Sequence, residues 1–537
     1  MQLLQPLTRD RRTIDREKPA GVHLPYARHV DDYTIEMRDG LLLQTIRLDG
    51  MLFETSDTEE INYRATLRDA VLRTIGTSNF AVYHHVVRRR VNTVLDSDFD
   101  DDFSREVDRR WRERLANRQL YVNDLFLTLV RRPLQGRMGF ADRLRARFTK
   151  SADVGRIAAS HDLRQLSTAR EALIAALGSY APRVLGVYET PDGVRSETLE
   201  FLSGIFNGAM RPMGLPHGDI GHYLPDRRIS FGQDTVELAP TGAAPRCFVG
   251  MVSIKDYPTH TMPGMFDELY RLPFEMTVSQ SFAFVERRAA LSRMNLTIRR
   301  MRSAEDEAIS LRDELLVAKD DVAAGRAAFG EHHTTIALRA DTIAGVDAAI
   351  AEITALLADL GIVAVREDIA LEPAFWAQFP GNFKYITRRG MVSTQNFAGL
   401  ASLHNFPVGR AKGNHWGDAV TLFETTAAGP YFFNFHQADL GNFTVIGPSG
   451  SGKTVVLNFL LAQARRFDPR IIFFDKDRGA ELFIRAIGGS YDRLRPGEAT
   501  GLNPLLLEDN GANRQFLIDW ISQLAGGAST DELDHIR

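Results

Sequence analysis

Cysteine is nearly absent: Cys247 is the only one in 537 residues. A single thiol excludes an intramolecular disulfide and any cysteine-rich metal site, fits a reducing compartment, and reads as a buried, inert group. No stretch of 18 or more apolar residues occurs, so no transmembrane helix is expected. The first twenty residues are charged and lack an apolar core, so they do not read as a secretory signal. A formal net charge of −4 announces no polyanionic partner. Lysine is scarce, with eight lysines against 57 arginines, so a lysine at a motif position stands out from background. The acidic run 96–102 lacks the ligand spacing and turn glycine of a calcium loop and reads as a solvated linker. Arg9-Asp10-Arg11-Arg12 mixes acids with bases and reads as a solvated tail. The arginines crowding 131–148 could face nucleic acid, anionic lipid or a protein, with a solvated helix face as the default.

What is present is organised around residues 443–467. Residues 443–446 read as a short buried strand, 447–454 as a glycine-rich loop, and 455–467 as a helix. Strand, loop and helix in that order are what the phosphate-binding pattern G-x-x-x-x-G-K-[ST] requires. At average residue frequencies the pattern arises by chance about 0.02 times in a chain this long. Gly450 and Gly452 let the backbone curl so that successive N–H groups face a phosphate. The helix that begins there adds partial positive charge at its N-terminus. ATP with Mg²⁺ is therefore expected on Gly447, Pro448, Ser449, Gly450, Ser451, Gly452, Lys453, Thr454 and Val455. Lys453 supplies the catalytic charge for the β- and γ-phosphates, and the Thr454 hydroxyl is the metal ligand.

The length suggests about three domains. A flexible tail is expected over 1–22, an α/β domain over 23–180, a second α/β domain with a long helix over 181–400, and the P-loop domain over 401–537. Asp39-Gly40 marks a hairpin turn between strand patterns. Helices are read over 58–74, 104–118, 166–177, 197–206 and 342–360, with a long charged helix, unbroken or broken once, over 282–324. Strands are read over 80–91, 125–130, 184–188, 247–254, 334–339 and 362–366, and a hairpin joins 419–424 to 431–435. The β-α-β run from 334 to 366 is consistent with an open sheet covered by helices. His84 and His85 are adjacent in a strand, so they face opposite sides and cannot chelate one metal together. No internal repeat and no low-complexity segment stands out. Residues 471–475 read as a second buried strand ending in Asp475. That acid could hold Mg²⁺ through water as a Walker B aspartate, lie near the nucleotide, or be structural. Its strand directly succeeds the first helix, which counts against the first reading. Pro496-Gly497-Glu498 reads as a turn, and the chain then runs into a charged helix.

Several stretches resemble the large ATPases of bacterial type IV secretion and conjugal transfer systems, the VirB/TrbE/CagE type. They are Leu24-Pro25-Tyr26 with the hairpin to Asp49-Gly50, Gln280-Ser281-Phe282-Ala283-Phe284, Phe379-Pro380-Gly381-Asn382-Phe383 and Asn396-Phe397-Ala398-Gly399. The most specific are the P-loop itself and Phe474-Asp475-Lys476-Asp477-Arg478-Gly479, running on through Gly488-Gly489 and Leu494-Arg495-Pro496-Gly497 to Asn503-Pro504-Leu505. The resemblance implies mixed α/β domains followed by the first part of a RecA-like P-loop NTPase domain. It implies a cytoplasmic protein docked on the inner membrane, hexameric in many members, which works with other secretion components. Such proteins energise assembly of the channel or pilus and substrate transfer.

Family members continue past the point where this sequence stops. The Walker B strand, its Asp-Glu pair and an arginine reaching a neighbouring subunit would lie there. This form is therefore expected to bind nucleotide weakly and to hydrolyse it poorly, with Asp475 or Asp477 as the fallback acids. Two rival readings remain. A DNA-translocating pump ATPase would bind DNA in a salt-sensitive way, although no aromatic-plus-basic track stands out. A non-catalytic scaffold would dock partners through residues 1 to about 400.

Overall fold

The computed structural model describes residues 18–77, 79–132, 152–240, 245–303, 309–495 and 497–526. The tail around Arg9–Arg12, the arginines over 133–148, Pro496 and the stretch 527–537 lie outside the described residues. Two compact units are present. One comprises residues up to 95 and from 112 to 441, and the other residues 96–111 and from 442 onward.

The larger unit is built on a thirteen-stranded sheet. In its first half, the hairpin β1 (Tyr26–His29) and β2 (Ile35–Met37) leads into β3 (Leu42–Leu48). Then come α1 (Thr58–Ile75), β4 (Phe80–Val91), α2 (Asp102–Ala116, most of which belongs to the smaller unit), β5 (Leu120–Arg131), α3 (Ala152–Ala176) and β6 (Arg183–Val184). β5 lies between β3 and β4, and β6 adds to the far side of β3. After α4 (Glu197–Asn207), the second half opens with the hairpin β7 (Arg227–Phe231) and β8 (Val236–Pro240), which leads into β9 (Cys247–Asp256). Then come β10 (Glu275–Phe284), α5 (Arg287–Ser303), α6 (Ile309–Ala324), β11 (Phe329–Ala340), α7 (Ile343–Asp359) and β12 (Val363–Arg366). β11 lies between β9 and β10, and β12 adds to the far side of β9.

The sheet order β6-β3-β5-β4 is thus answered by β10-β11-β9-β12, and the halves meet where β4 and β10 pair antiparallel. The matching extends to detail. β2 pairs with the start of β3 at Leu42 and Leu43, and β6 with its end at Ile46 and Arg47. β8 pairs with the start of β9 at Cys247, Phe248 and Val249, and β12 with the rest, from Val252 to Asp256. The topology repeats although no repeat is visible in the sequence, which corrects the sequence reading. Strand order needs only the alternation of apolar residues and the lengths of the connections, and many unrelated sequences supply both. A last strand, β13 (Gly390–Ser393), joins the start of β11.

Both faces of the sheet are covered, so its central strands are apolar on both sides. Tyr83, Phe126, Met251 and Ala337 face α4 and the short helix α8 (Leu371–Ala377), where Phe206, Phe375 and Trp376 pack. On the other face, Val82, Leu127, Val278 and Ile336 meet the helices that carry Leu72, Leu173 and Ile353, and the short helix α9 (Thr394–Leu400) adds Phe397. The helix read over 342–360 is α7, started by the Thr342 hydroxyl, which accepts from the Gly345 N–H at 3.1 Å. The expected long helix over 282–324, unbroken or broken once, is corrected at its start. Residues through Phe284 remain in β10, paired with β11 and β4, and two helices, α5 and α6, come next and pack on one another through Ala290, Met294 and Val322. Apolar ladder partners on both sides outweigh the helical periodicity that those residues share with α5.

In the smaller unit, α10 (Lys453–Ala464), α11 (Glu481–Ala486) and α12 (Gly511–Leu524) succeed one another. A compact core gathers Ala462, Ala480, Phe483 and Ile484 with Val107, and Trp111 meets Phe459 edge-on at 5.0 Å. The two expected buried strands are not strands here. Residues 443–446 and 471–475 have no ladder partner among the described residues, and Ile446 and Phe474 are 89% and 92% exposed. An extended apolar run becomes a strand only when a neighbour satisfies its backbone N–H and C=O groups.

Candidate functional site: the loop at the head of α10

Two left-handed glycines shape this loop. Gly450 has φ +80° and Gly452 φ +90°, a region that side chains disfavour. Gly452 is the cap from which α10 starts, and its carbonyl accepts from the Val456 N–H at 3.0 Å. At Gly447 a Cβ would come within 2.6 Å of the Ser451 hydroxyl, so a larger residue would open the turn. That turn is closed by the Ser451 hydroxyl donating to the Pro448 carbonyl at 2.8 Å. Lys453 folds back over it, its Nζ donating to the carbonyls of Gly447 at 2.9 Å and Pro448 at 2.8 Å. The ammonium thus rests on neutral carbonyls, and its charge is available to an anion in the same cradle. Thr454 and Val455 are exposed in the first turn of the helix. All nine residues expected to hold the nucleotide are consecutive and lie on this one loop and helix start.

The residues fit a nucleotide phosphate. The cradle is glycine-lined, it opens at a helix N-terminus, and it holds one lysine and one free-standing hydroxyl. For Mg²⁺ the protein side is thinner. Among the described residues no cluster of three His, Cys, Asp or Glu could hold a metal. A magnesium at Thr454 would take most of its ligands from phosphate oxygens and water, as that ion commonly does.

Asp475 has a structural task. One oxygen accepts from the Gly479 N–H at 3.2 Å, the other from the Ala480 N–H at 2.8 Å and the Tyr491 hydroxyl at 3.1 Å. Partial desolvation pushes its carboxyl up, but the Ala480, Tyr491, Gly479 and Asp477 hydrogen bonds outweigh it and hold the group below the usual carboxylate range. Asp475 thereby fixes the turn 475–480 that enters α11. The neighbouring Glu481 is gripped by Arg478, Arg493 and Arg485, which hold it down to about 2. Replacing Asp475 with Ala should lower the melting temperature of the nucleotide-free protein, a loss of about 1 kcal/mol for a half-exposed capping carboxylate. A variant that melts like the parent but loses Mg²⁺-dependent ATP binding would assign the acid to the metal instead.

Sequence reasoning did not single out Gly479 and Asn458 for their part here. A Cβ on Gly479 would come within 2.7 Å of the Thr454 methyl, and its carbonyl accepts from the Asn458 amide at 3.0 Å. These contacts seat the 475–480 turn against the first turns of α10, which carry Thr454 and Asn458. The Arg478-Gly479 pair after the acid was the available signal.

Known proteins resemble this chain over most of its length. Residues 33–138 match the family described as type IV secretion system ATPase VirB4/TrbE, N-terminal domain. Residues 183–388 match the CagE, TrbE, VirB family, component of type IV transporter system. Both stretches thus match the CagE/TrbE/VirB family. The two matched stretches fall on the two halves of the large sheet, and the P-loop lies outside both. Among similar proteins, the type IV secretion system protein virB4 of Bartonella quintana (strain Toulouse) is 38% identical over 512 residues, covering 95% of this chain and 65% of that protein. Protein virB4 of Agrobacterium fabrum (strain C58 / ATCC 33970) is 34% identical over 528 residues, covering 96% of this chain and 66% of that protein. The type IV secretion system protein PtlC of Bordetella pertussis (strain Tohama I / ATCC BAA-589 / NCTC 13251) is 34% identical over 534 residues, 95% of this chain and 64% of that protein. The chain thus spans just under two thirds of these relatives' lengths.

Proposed function

We propose that this chain is the ATP-binding part of a subunit that energises a type IV secretion or conjugal transfer system, in channel or pilus assembly and substrate transfer. The observation that carries the reading is the loop 447–454, with its two left-handed glycines and Lys453 folded over the turn. Lys453 holds the charge that meets the β- and γ-phosphates. The N–H groups of the loop and of the first turn of α10 orient them, and Thr454 offers its hydroxyl to Mg²⁺. Bound Mg·ATP supplies the phosphoryl group to be transferred; the chain's own residues bind it and hold it in place.

The finer parts of the reading are proposals too. They are a hexameric assembly, docking on the cytoplasmic face of the inner membrane, contact with other components of the secretion system, and residue 180 as the division between the two α/β domains. No helix among the described residues is long and apolar enough to cross a membrane. A fluorescent ATP analogue should bind the 537-residue protein in a Mg²⁺-dependent way. Vigorous turnover that Asp475→Asn abolishes without unfolding the protein would overturn the assignment of Asp475 to structure. A salt-sensitive rise in the anisotropy of labelled DNA would favour the pump reading, and an absence of nucleotide binding the scaffold.

A further inference from the structure

The smaller unit takes one of its helices from far upstream. Residues 96–111, in the connection between β4 and β5, are grouped with residues 442 onward. They include most of α2, whose apolar residues Phe103, Val107, Trp111 and Leu115 recur every four positions in an otherwise charged sequence. That spacing makes one stripe along the helix. Within the smaller unit the stripe is covered. Phe103 meets the Phe483 ring of α11 at 6.3 Å, and Val107 packs on the cluster of Ala462, Ala480, Phe483 and Ile484. Trp111 meets Phe459 of α10 edge-on at 5.0 Å. The exit of α10 is tied to the same segment. Arg465 lies 3.5 Å from the Asp101 carboxylate, and the Arg466 guanidinium donates to the Asp96 carbonyl at 3.1 Å.

These contacts run from the middle of α10 to its far end. Leu460, Ala462, Gln463 and Ala464 are buried, whereas Thr454, Val455 and Val456 in the first turn are exposed. The helix is therefore gripped at the end away from the loop 447–454. Its twelve residues are too few to hold a helix without packing, so the segment 96–111 sets the axis of α10. That axis decides where the N–H groups at its head point. Phe459 lies six residues from Lys453, about 9 Å along a stiff helix, so a swing at the ring moves the loop.

We propose that Trp111 is a positioning residue of the nucleotide site: its ring on Phe459 fixes the aim of the loop 447–454, and filling that loop shifts the ring contact in return. This rests on the reading of the loop as an ATP site. Trp111 meets no nucleotide; it acts through α10. Phosphate oxygens draw on the N–H groups at the head of the helix, and the helix carries Phe459 against the indole as it adjusts.

The test uses the 537-residue protein and two signals. A fluorescent ATP analogue with Mg²⁺ reports the loop, and intrinsic tryptophan emission on adding unlabelled Mg·ATP reports Trp111. Trp111→Ala should weaken analogue binding about two- to tenfold, the worth of an edge-on ring pair. Trp111→Phe, which keeps a ring on Phe459, should restore most of that loss. The parent's emission should change saturably with Mg·ATP, and Trp111→Phe should lose the larger part of the change, although Trp376, Trp416 and Trp520 remain. Three results would overturn the proposal and leave the ATP reading standing: analogue binding by Trp111→Ala at the parent's affinity, a parent emission that Mg·ATP leaves unchanged while the analogue binds, or an emission change that Trp111→Phe keeps whole. A parent that binds no analogue would overturn both. Should Trp111→Ala fail to fold, the emission of the parent and of Trp111→Phe still decides.

Discussion

Between pH 6.5 and pH 4.5 the larger unit should lose its tertiary structure cooperatively, with a midpoint in the region of pH 5. The cause is four imidazoles in the central strands: His84 and His85 in β4, His332 and His333 in β11. Burial holds His84 and His332 down to about 3 and His85 and His333 down to about 4. Like-charged neighbours add to the shift at His84 (His85, Arg68) and His332 (His333, His84), while carbonyl partners on Gln378 and Arg388 partly offset it at His85 and His333.

All four folded pKa values lie below the unfolded value near 6.5, so below that pH the unfolded chain binds protons that the folded chain refuses, and stability falls with pH. Each group costs about 1.4 kcal/mol per pH unit inside its window, so four together cost about 5 kcal/mol per unit. A typical domain has only about 5–15 kcal/mol to lose. Asp267 works the other way, since burial raises its pKa, but it is one carboxyl against four imidazoles. Near-ultraviolet circular dichroism against pH reads the transition. A signal unchanged down to pH 4 would refute the account.

The second large effect is on nucleotide binding. Lys453→Ala should weaken binding of a fluorescent ATP analogue by about 10- to 100-fold, the worth of one or two charge-assisted hydrogen bonds. The melting temperature should move little, because the lost contacts are two exposed or half-exposed bonds to carbonyls of the same loop. Lys453→Arg should not restore affinity. A planar guanidinium is a poor replacement for a point charge in a turn this tight. Lys476→Ala, which removes an equal charge from an exposed position outside the cradle, serves as the control. Equal loss in both variants would reduce the effect to general electrostatics and sink the specific role of Lys453.

Local structure was the legible part of the sequence. The strand 80–91 has the bounds of β4, because its valines and aromatics are preceded by Gly76 and run out into three arginines. Thr342 and Gly361 bracket α7 as a cap and a stop should, and the P-loop residues are consecutive in sequence and therefore in space. Pairing was not legible. Phe282 to Phe284 read as the start of a helix until β4 and β11 flank them. Residues 443–446 and 471–475 read as strands, yet strand character depends on partners that periodicity does not name. Asp475 could be read from the sequence as a metal acid, an acid near the nucleotide or a structural group, with its place in the strand order counting against the first. Its contacts are with Tyr491, sixteen residues away, and with backbone donors that no residue type announces.

The pairing of β4 with β10 joins His84 to Gln280, 196 residues later in the chain. During synthesis β4 therefore emerges long before its partner exists. Until then its outer edge is an open template, twelve residues long and mostly apolar, of the kind that recruits other chains. Arg88, Arg89 and Arg90 close that edge with three like charges, so a second nascent copy laid against it would meet repulsion. In the finished molecule Arg88 bonds to the carbonyls of Arg271, Leu272 and Ala427, and Arg89 to Asp124. Arg88, one of the three that would guard the half-made sheet, thus becomes part of the clasp that closes it once the second half arrives.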